Sequence, residues 1–345
     1  MPNKKTVLVT GGAGYIGSHT IIELLANNNY HVISVDGFFN SSPKAYEQVQ
    51  QITGKQFKTC TIDLCNEKEF DKIFTENKID GVIHFAAFKS VGESVEQPLK
   101  YYHNNIASLV NLLTLCDKHK VANVIFSSSC SVYGNVQTLP VDENTVIPKA
   151  ESPYAYTKQI GENMLSDFCK QHTTFNAIAL RYFNPVGAHI SGTIGEWPIV
   201  KPSNLIPLIT GVAIGRYPQL TVLGGDYPTR DGTCIRDYIH VTDIANAHVL
   251  ALNYLLAHKN TNNYEVFNLG SGQGVSVLEA IAAFEKVSGK KLNYHIGERR
   301  AGDVIAVYSN SSKVQKALGW TCEHDITSMM KTAWDWEVYR TQHNF

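Results

Sequence analysis

Three residues carry the strongest chemical signal in the chain: Ser129, Tyr154 and Lys158. Tyr154-Ala-Tyr-Thr-Lys158 follows Pro153, and the four-residue spacing places phenol and amine on one face of a helix. A free tyrosine titrates near 10 and is a poor base at neutral pH, but a nearby ammonium favours the phenolate. Moving it from about 10 to about 7 takes roughly 4 kcal/mol of differential interaction, which a closed site can supply. Ser129, behind an apolar run, would bridge the phenol to a reacting hydroxyl. With 17 tyrosines in the chain, Tyr-x-x-x-Lys alone is a common coincidence. Its weight comes from what precedes it.

Thr10-Gly-Gly-Ala-Gly-Tyr-Ile-Gly17 follows the first strand-like run and opens the first helical one. Gly12, Gly14 and Gly17 match G-x-G-x-x-G; Gly11, Gly14 and Gly17 match the related G-x-x-G-x-x-G. Glycine lets the backbone turn tightly and approach a pyrophosphate, while the helix N-terminus, with Tyr15 and Ile16, offers N–H groups to the anion. An ordinary glycine-rich turn would show the same residues. Asp36 favours the dinucleotide: it ends the second strand 19 residues after Gly17, where an acid accepts from the adenosine ribose hydroxyls. An acid there repels a 2′-phosphate, so NAD is expected over NADP. Asp63, before Leu64, could take the adenine amino group or merely cap its strand. Phe85 and Ala86 would pass under the adenosine half, or simply bury a strand end.

The elements that must position these residues alternate. Strand candidates are Thr6–Thr10, His31–Asp36, Phe57–Asp63, Gly81–Ala86, Asn123–Ser128 and Asn176–Arg181. Helical spacing of apolar residues appears between them, as in Ser18–Asn27 and Tyr101–Lys120. That order predicts an α/β fold, a doubly wound Rossmann-type parallel sheet with right-handed crossovers. A long loop over Tyr133–Ser152 separates the fifth strand from the Tyr154 helix. Past Arg181, Pro and Gly interrupt the pattern, while helical stretches persist at Asn204–Gly215, Val241–His258 and Val277–Ser288. A smaller mixed α/β lobe is expected there.

Composition narrows the function. At 345 residues the chain is long enough for about two domains. Thirty basic and 31 acidic residues leave a net charge of −1, which argues against a nucleic-acid binder. No run of about 18 apolar residues could span a bilayer, and no secretory leader is expected. Seven scattered cysteines without Cys-x-x-Cys imply a reducing cytoplasm, and neither they nor the 13 histidines show metal-ligand spacing. No metal site is expected.

Longer stretches carry a family likeness over essentially the whole chain. They are Gly11-Gly-Ala-Gly-Tyr-Ile-Gly-Ser-His19, Phe85-Ala-Ala-Phe-Lys-Ser-Val-Gly-Glu-Ser94, Pro98-Leu-Lys-Tyr-Tyr-His-Asn-Asn105 and Ser127-Ser-Ser-Cys-Ser-Val-Tyr-Gly134. Arg181-Tyr-Phe-Asn-Pro-Val-Gly-Ala-His189 and Asp231-Gly-Thr-Cys-Ile-Arg-Asp-Tyr-Ile-His-Val241 follow. Together they resemble the extended short-chain dehydrogenase/reductases, in particular the branch that epimerises UDP-hexoses at C4. The resemblance implies an NAD-binding domain over residues 1–183 and a mainly UDP-sugar-binding lobe over 184–345, some of whose segments return to the first domain. It implies Tyr154 as the base, with Lys158 holding the nicotinamide ribose and tuning Tyr154. Lys89, Asn104 and Phe183 would border the cofactor, and Lys89 also the sugar. Asn184, Asn204, Leu205, Arg236, Arg300 and Asp303 would hold the UDP-sugar. The planar fork of each arginine suits a pyrophosphate, although both could be surface residues, and Asn204 could be only a helix cap. A soluble homodimer is also implied.

Two departures stand out. Gly37 follows Asp36 where relatives carry Asn, although Asn40 and Ser41 remain as expected. Val307 stands where relatives of narrow specificity carry a bulky Tyr, with Thr221 and Leu223 expected beside it, so N-acetylated UDP-hexoses are possible substrates. A sister dehydratase would need an Asp-Glu pair after Ser129, where this chain has Cys130 and Ser131. A simple dehydrogenase would consume NAD stoichiometrically. A non-catalytic NAD sensor on the same fold could dispense with the Tyr/Lys pair, which this chain keeps.

Overall fold

A computed structural model describes residues 4–199, 202–300, 303–343 and 345. In chain order the first half runs β1 (Lys5–Thr10), α1 (Tyr15–Ala26), β2 (Tyr30–Asp36), α2 (Lys44–Thr53), β3 (Lys58–Thr61), α3 (Glu67–Glu76), β4 (Gly81–His84), α4 (Val91–Glu96), α5 (Pro98–Lys118), β5 (Asn123–Ser129), α6 (Pro153–Gln171) and β6 (Asn176–Tyr182). It continues with β7 (Asn184–Val186), α7 (Leu205–Ala213), β8 (Leu220–Leu223), β9 (Ile235–His240), α8 (Val241–Leu256), β10 (Tyr264–Leu269), β11 (Gly274–Ser276), α9 (Val277–Ser288), β12 (Tyr294–Gly297), β13 (Ala306–Val307), α10 (Ser312–Leu318) and α11 (Ile326–Gln342).

Two compact units divide these elements. The first comprises Met1–Val132, Lys149–Arg181 and Ala245–Phe267. Its sheet has seven strands in the order β10-β6-β5-β4-β1-β2-β3. The pairs β1–β2, β1–β4, β2–β3 and β4–β5 are parallel. Chain order reverses between β1 and β4, the switch point at which the carboxyl ends of such strands form a ligand crevice. Val7, Leu8 and Val9 are fully buried, as befits a central strand covered on both faces. Leu109, Leu112, Leu113 and Cys116 of α5 share one core with Leu8, on the helical spacing read from the sequence.

Several ends differ from expectation. The strand expected over Phe57–Asp63 stops at Thr61, because Asp63 folds back to accept the Cys65 N–H at 2.9 Å. β4 likewise ends at His84, and Ser129 is the last residue of β5 rather than the residue after it.

The second unit comprises Tyr133–Pro148, Tyr182–Ile244 and Asn268–Phe345. β9 is its organising strand, pairing parallel with β7 and β13 and antiparallel with β11. β8 and β12 form a separate parallel pair. Its core gathers Ile206, Ile209, Tyr238, Ile281, Phe284, Met329 and Met330 from α7, β9, α9 and α11. α9 starts on a capping box between Ser276 and Glu279 and stops at left-handed Gly289, matching the expected Val277–Ser288.

Candidate active site

The glycine loop is shaped by close backbone approach. Gly11 has φ +70°, and a Cβ there would lie 2.7 Å from the Ala86 nitrogen, so the loop rests directly on the backbone just past β4. Gly14 is different: a Cβ would meet only the Gly11 carbonyl, at 3.1 Å. Gly14 also caps α1 without any side-chain hydrogen bond. A Cβ at 14 would thus press on a backbone carbonyl, and a pyrophosphate seated on the helix N-terminus would exclude it as well. A dinucleotide fits this cradle.

Asp36 braces the loop from the end of β2. Its Oδ2 accepts the Ala13 N–H at 3.0 Å, and its Oδ1 accepts the Phe38 N–H and the Ser41 hydroxyl, each at 2.8 Å. Ser41 thus reaches the predicted neighbourhood through Asp36, while Asn40 is exposed. At Gly37 a Cβ would meet the Phe39 ring at 2.7 Å, so that ring lies over the glycine. Asp63 is exposed and Leu64 buried. Phe85 lies against His248 with 4.6 Å between ring centres, and Lys89 lies 5.9 Å from the Tyr15 ring centre.

Tyr154 and Lys158 open α6. Ser152 caps the helix by accepting the Ala155 N–H at 3.2 Å, and Pro153 occupies its first turn, where a missing N–H costs nothing. Both side chains are buried. Lys158 Nζ donates to the Ser127 carbonyl at 2.6 Å and sits 5.0 Å from the Phe126 ring centre and 5.9 Å from that of Tyr154. Burial pushes the Lys158 ammonium down to about 8, while the Glu162 charge pulls it back up. His84, bonded to the Thr10 hydroxyl at 2.8 Å, is pushed down to about 3 by burial and by the charge of Lys158. It is therefore neutral at physiological pH. Ser129 Oγ accepts the Ser131 N–H at 3.2 Å, a bond that leaves its own hydroxyl proton to donate.

Supporting residues escaped the sequence reading. Glu162 binds Arg181 through both oxygens, at 2.8 and 2.6 Å, and takes the Ser128 hydroxyl at 2.5 Å, all within the core beside β5. Asn105 accepts the Phe88 N–H at 2.8 Å and donates to the Phe88 carbonyl at 3.0 Å and to Thr157 at 3.1 Å. It thereby ties the loop carrying Lys89 to the helix carrying Tyr154. Asn104, beside it, donates to Asn105 at 3.0 Å. Asn104 was expected beside the cofactor; the signal for Asn105 was its place next to it, a polar residue inside an apolar helical pattern.

In the second unit Arg236 and Arg300 converge on Asp303, at 3.5 and 2.6 Å from one carboxylate oxygen. Arg236 is only 17% exposed at its side chain, which removes the surface-arginine alternative for it; Arg300, at 54%, remains open to solvent. Val307 is buried and stands in register with Arg236. Asn184 on β7 has a buried Oδ1 without a hydrogen-bond partner, an acceptor available to a ligand donor. Phe183 is buried, its N–H bonded to the Leu269 carbonyl at 3.1 Å. Asn204 precedes α7 at the cap position, but its side chain makes no capping bond and instead faces Glu196 at 3.5 Å. Leu205 packs on the second core, Thr221 faces His295 at 3.4 Å, and Leu223 is 38% exposed.

A dinucleotide cradle joined to a buried Tyr/Lys pair defines a class. Residues 7–270 match the NAD dependent epimerase/dehydratase family, and the chain belongs to it. Within that family its relatives include UDP-glucose 4-epimerases. The Drosophila melanogaster enzyme of that name is 47% identical over 96% of each chain. The UDP-glucose 4-epimerase of Bifidobacterium longum, solved with NAD+ and UDP, is 46% identical, with a TM-score of 0.92 over 99% of each chain. The UDP-Glc/GlcNAc 4-epimerase of Campylobacter jejuni is 38% identical, with a TM-score of 0.83 over 97% of this chain and 99% of that one.

Proposed function

We infer that the chain is an NAD-dependent isomerase that interconverts UDP-galactose and UDP-glucose by inverting C4 of the sugar. The observation that carries this is the buried Tyr154/Lys158 pair on α6, with no carboxylate following Ser129. Cys130 and Ser131 cannot supply the acid and base that elimination of water would need.

Gly11, Gly14, Tyr15, Ile16 and Gly17 hold the cofactor pyrophosphate; Asp36, Asn40 and Ser41 hold its adenosine ribose, and Asp63 and Leu64 its adenine. Phe85, Ala86, Lys89, Asn104 and Phe183 line the rest. NAD held there would supply a hydride acceptor, and afterwards a hydride donor, for the sugar C4. Tyr154, as phenolate, takes the proton of the C4 hydroxyl and later gives it back. Lys158 favours that phenolate electrostatically, and the Ser127 carbonyl fixes the ammonium in place. Ser129 donates to the reacting oxygen. Arg236 and Arg300 grip the diphosphate; Asp303, which they already bracket, keeps them aligned when it is absent. Asn184, Asn204 and Leu205 complete the nucleotide site. Tight hold on UDP with loose hold on the sugar lets the 4-keto sugar turn over between the two hydride transfers.

Thr221, Leu223 and Val307 wall the sugar, and the small Val307 admits an N-acetyl group at C2. Exposed Val91, Val95, Leu99 and Val110 on α4 and α5 offer apolar surface to a second copy, which supports a homodimer. All seven cysteines are free, which suits a reducing cytoplasm. Separation of the sugar nucleotides formed from UDP-galactose tests the reading: UDP-glucose is expected, and a 4-keto-6-deoxy product overturns it.

A further inference from the structure

We infer that Asp237 is a positioning residue for the UDP-sugar site: its carboxylate locks the strands on both sides of β9, and so holds Arg236 and Val307 in cross-strand register. This rests on the function proposed above.

Asp237 is fully buried, and five donors converge on it. Oδ1 accepts the N–H and the hydroxyl of Ser271, at 2.8 and 2.6 Å. Oδ2 accepts the Gly272 N–H at 3.1 Å and the N–H and hydroxyl of Ser309, at 3.0 and 2.7 Å. Every bond is donated to the carboxylate, so the arrangement is built for its ionised form. The enclosure is tight, because a Cβ on Gly270 would stand 2.4 Å from Oδ2 and 2.2 Å from the Ser309 hydroxyl.

The donors come from two segments that flank β9 on opposite sides. Ser271 and Gly272 lead into β11, where Gly274 pairs with Asp237 and Val275 with Arg236. Ser309 follows β13, where Ala306 pairs with Ile235 and Val307 with Arg236. A two-residue strand such as β13 has too short a ladder to fix its own register, and a slip of one residue would turn Val307 to the other face. Asp237 supplies the missing anchor at Ser309. Its side chain points away from that of Arg236, since neighbours on a strand face opposite sides, so it acts without touching substrate.

The test compares Asp237→Asn with wild-type holoenzyme by steady-state kinetics, calorimetric titration with UDP, NAD content and thermal melting. The amide keeps the volume but turns a donor toward donors already present. The KM for UDP-galactose should rise and UDP affinity should fall by about tenfold, the scale of one or two unpaired buried donors. kcat should stay within about threefold, with NAD content unchanged. Ser309→Ala, which removes one donor of five, should show the same split at about threefold. It decides the matter if Asp237→Asn does not fold. Unchanged UDP affinity overturns the inference, as does a fall in kcat at constant KM. A wild-type enzyme that binds UDP but does not epimerise overturns the proposed function instead, and the UDP titrations still judge Asp237.

Discussion

Lys158 holds its ammonium 5.9 Å from the centre of the Tyr154 ring, one helical turn away, and the Ser127 carbonyl anchors it there at 2.6 Å. In the proposed reaction this nearby ammonium favours the phenolate of Tyr154, the form a general base needs. Tyr154→Phe keeps the ring and loses only the hydroxyl. The variant should fold and bind NAD as wild type does, with turnover reduced by about 10²–10⁴, the usual worth of a general acid–base group. Near-normal turnover would remove Tyr154 from this role.

The alkaline limb of the pH profile should belong to Lys158. Its ammonium is held at about 8, so activity should decline as pH rises through that value. Stability moves the other way. The folded-state value lies below the unfolded one, near 10.4, so the unfolded chain binds more protons between the two and folding becomes more favourable as pH rises across that window. Lys158→Met should abolish the stability gain while lowering turnover at neutral pH. Melting temperatures from pH 7 to 10 would contradict the assignment if wild type and variant ran parallel.

Glu162 and Arg181 form an ion pair within the core. Glu162→Ala would strand the guanidinium in a buried site, at a cost of about 3–5 kcal/mol by denaturant unfolding. A loss under about 1 kcal/mol would show that water or another side chain readily replaces the carboxylate.

Specificity should turn on Val307. Epimerisation requires both sugar orientations to bind, so a clash in either one excludes a larger substrate. Wild type should epimerise UDP-N-acetylglucosamine as well as the unacetylated pair, and Val307→Tyr should lose only the former. Absence of N-acetylated product from wild-type enzyme that is active on UDP-galactose would contradict this.

Local chemistry was readable from the chain; distant partnership was not. The glycine loop, Asp36 at the end of β2 and the Tyr154/Lys158 pair behind Pro153 announce themselves by residue type and short spacing, although the Ala86 backbone under Gly11 and the Ala13 N–H on Asp36 come from farther along the chain. The Ser127 carbonyl that anchors Lys158 and the Arg181 that neutralises Glu162 come from separate strands, β5 and β6. The second unit was harder. β7, β11 and β13 have three, three and two residues, too few for a period of two to register, and β9 carries Arg236, Asp237 and His240 amid its apolar residues. Helix α11 spreads Lys331, Asp335 and Arg340 among its core contacts, which obscures its apolar stripe.

The central claim is that one hydrogen leaves C4 and returns to the same carbon on its other face. UDP-galactose carrying deuterium at C4, incubated with purified enzyme in ordinary water without added NAD, tests it most directly. The account predicts UDP-glucose with the deuterium retained at C4 and no accumulating NADH. Loss of the label to solvent, or NADH rising in step with product, would contradict it.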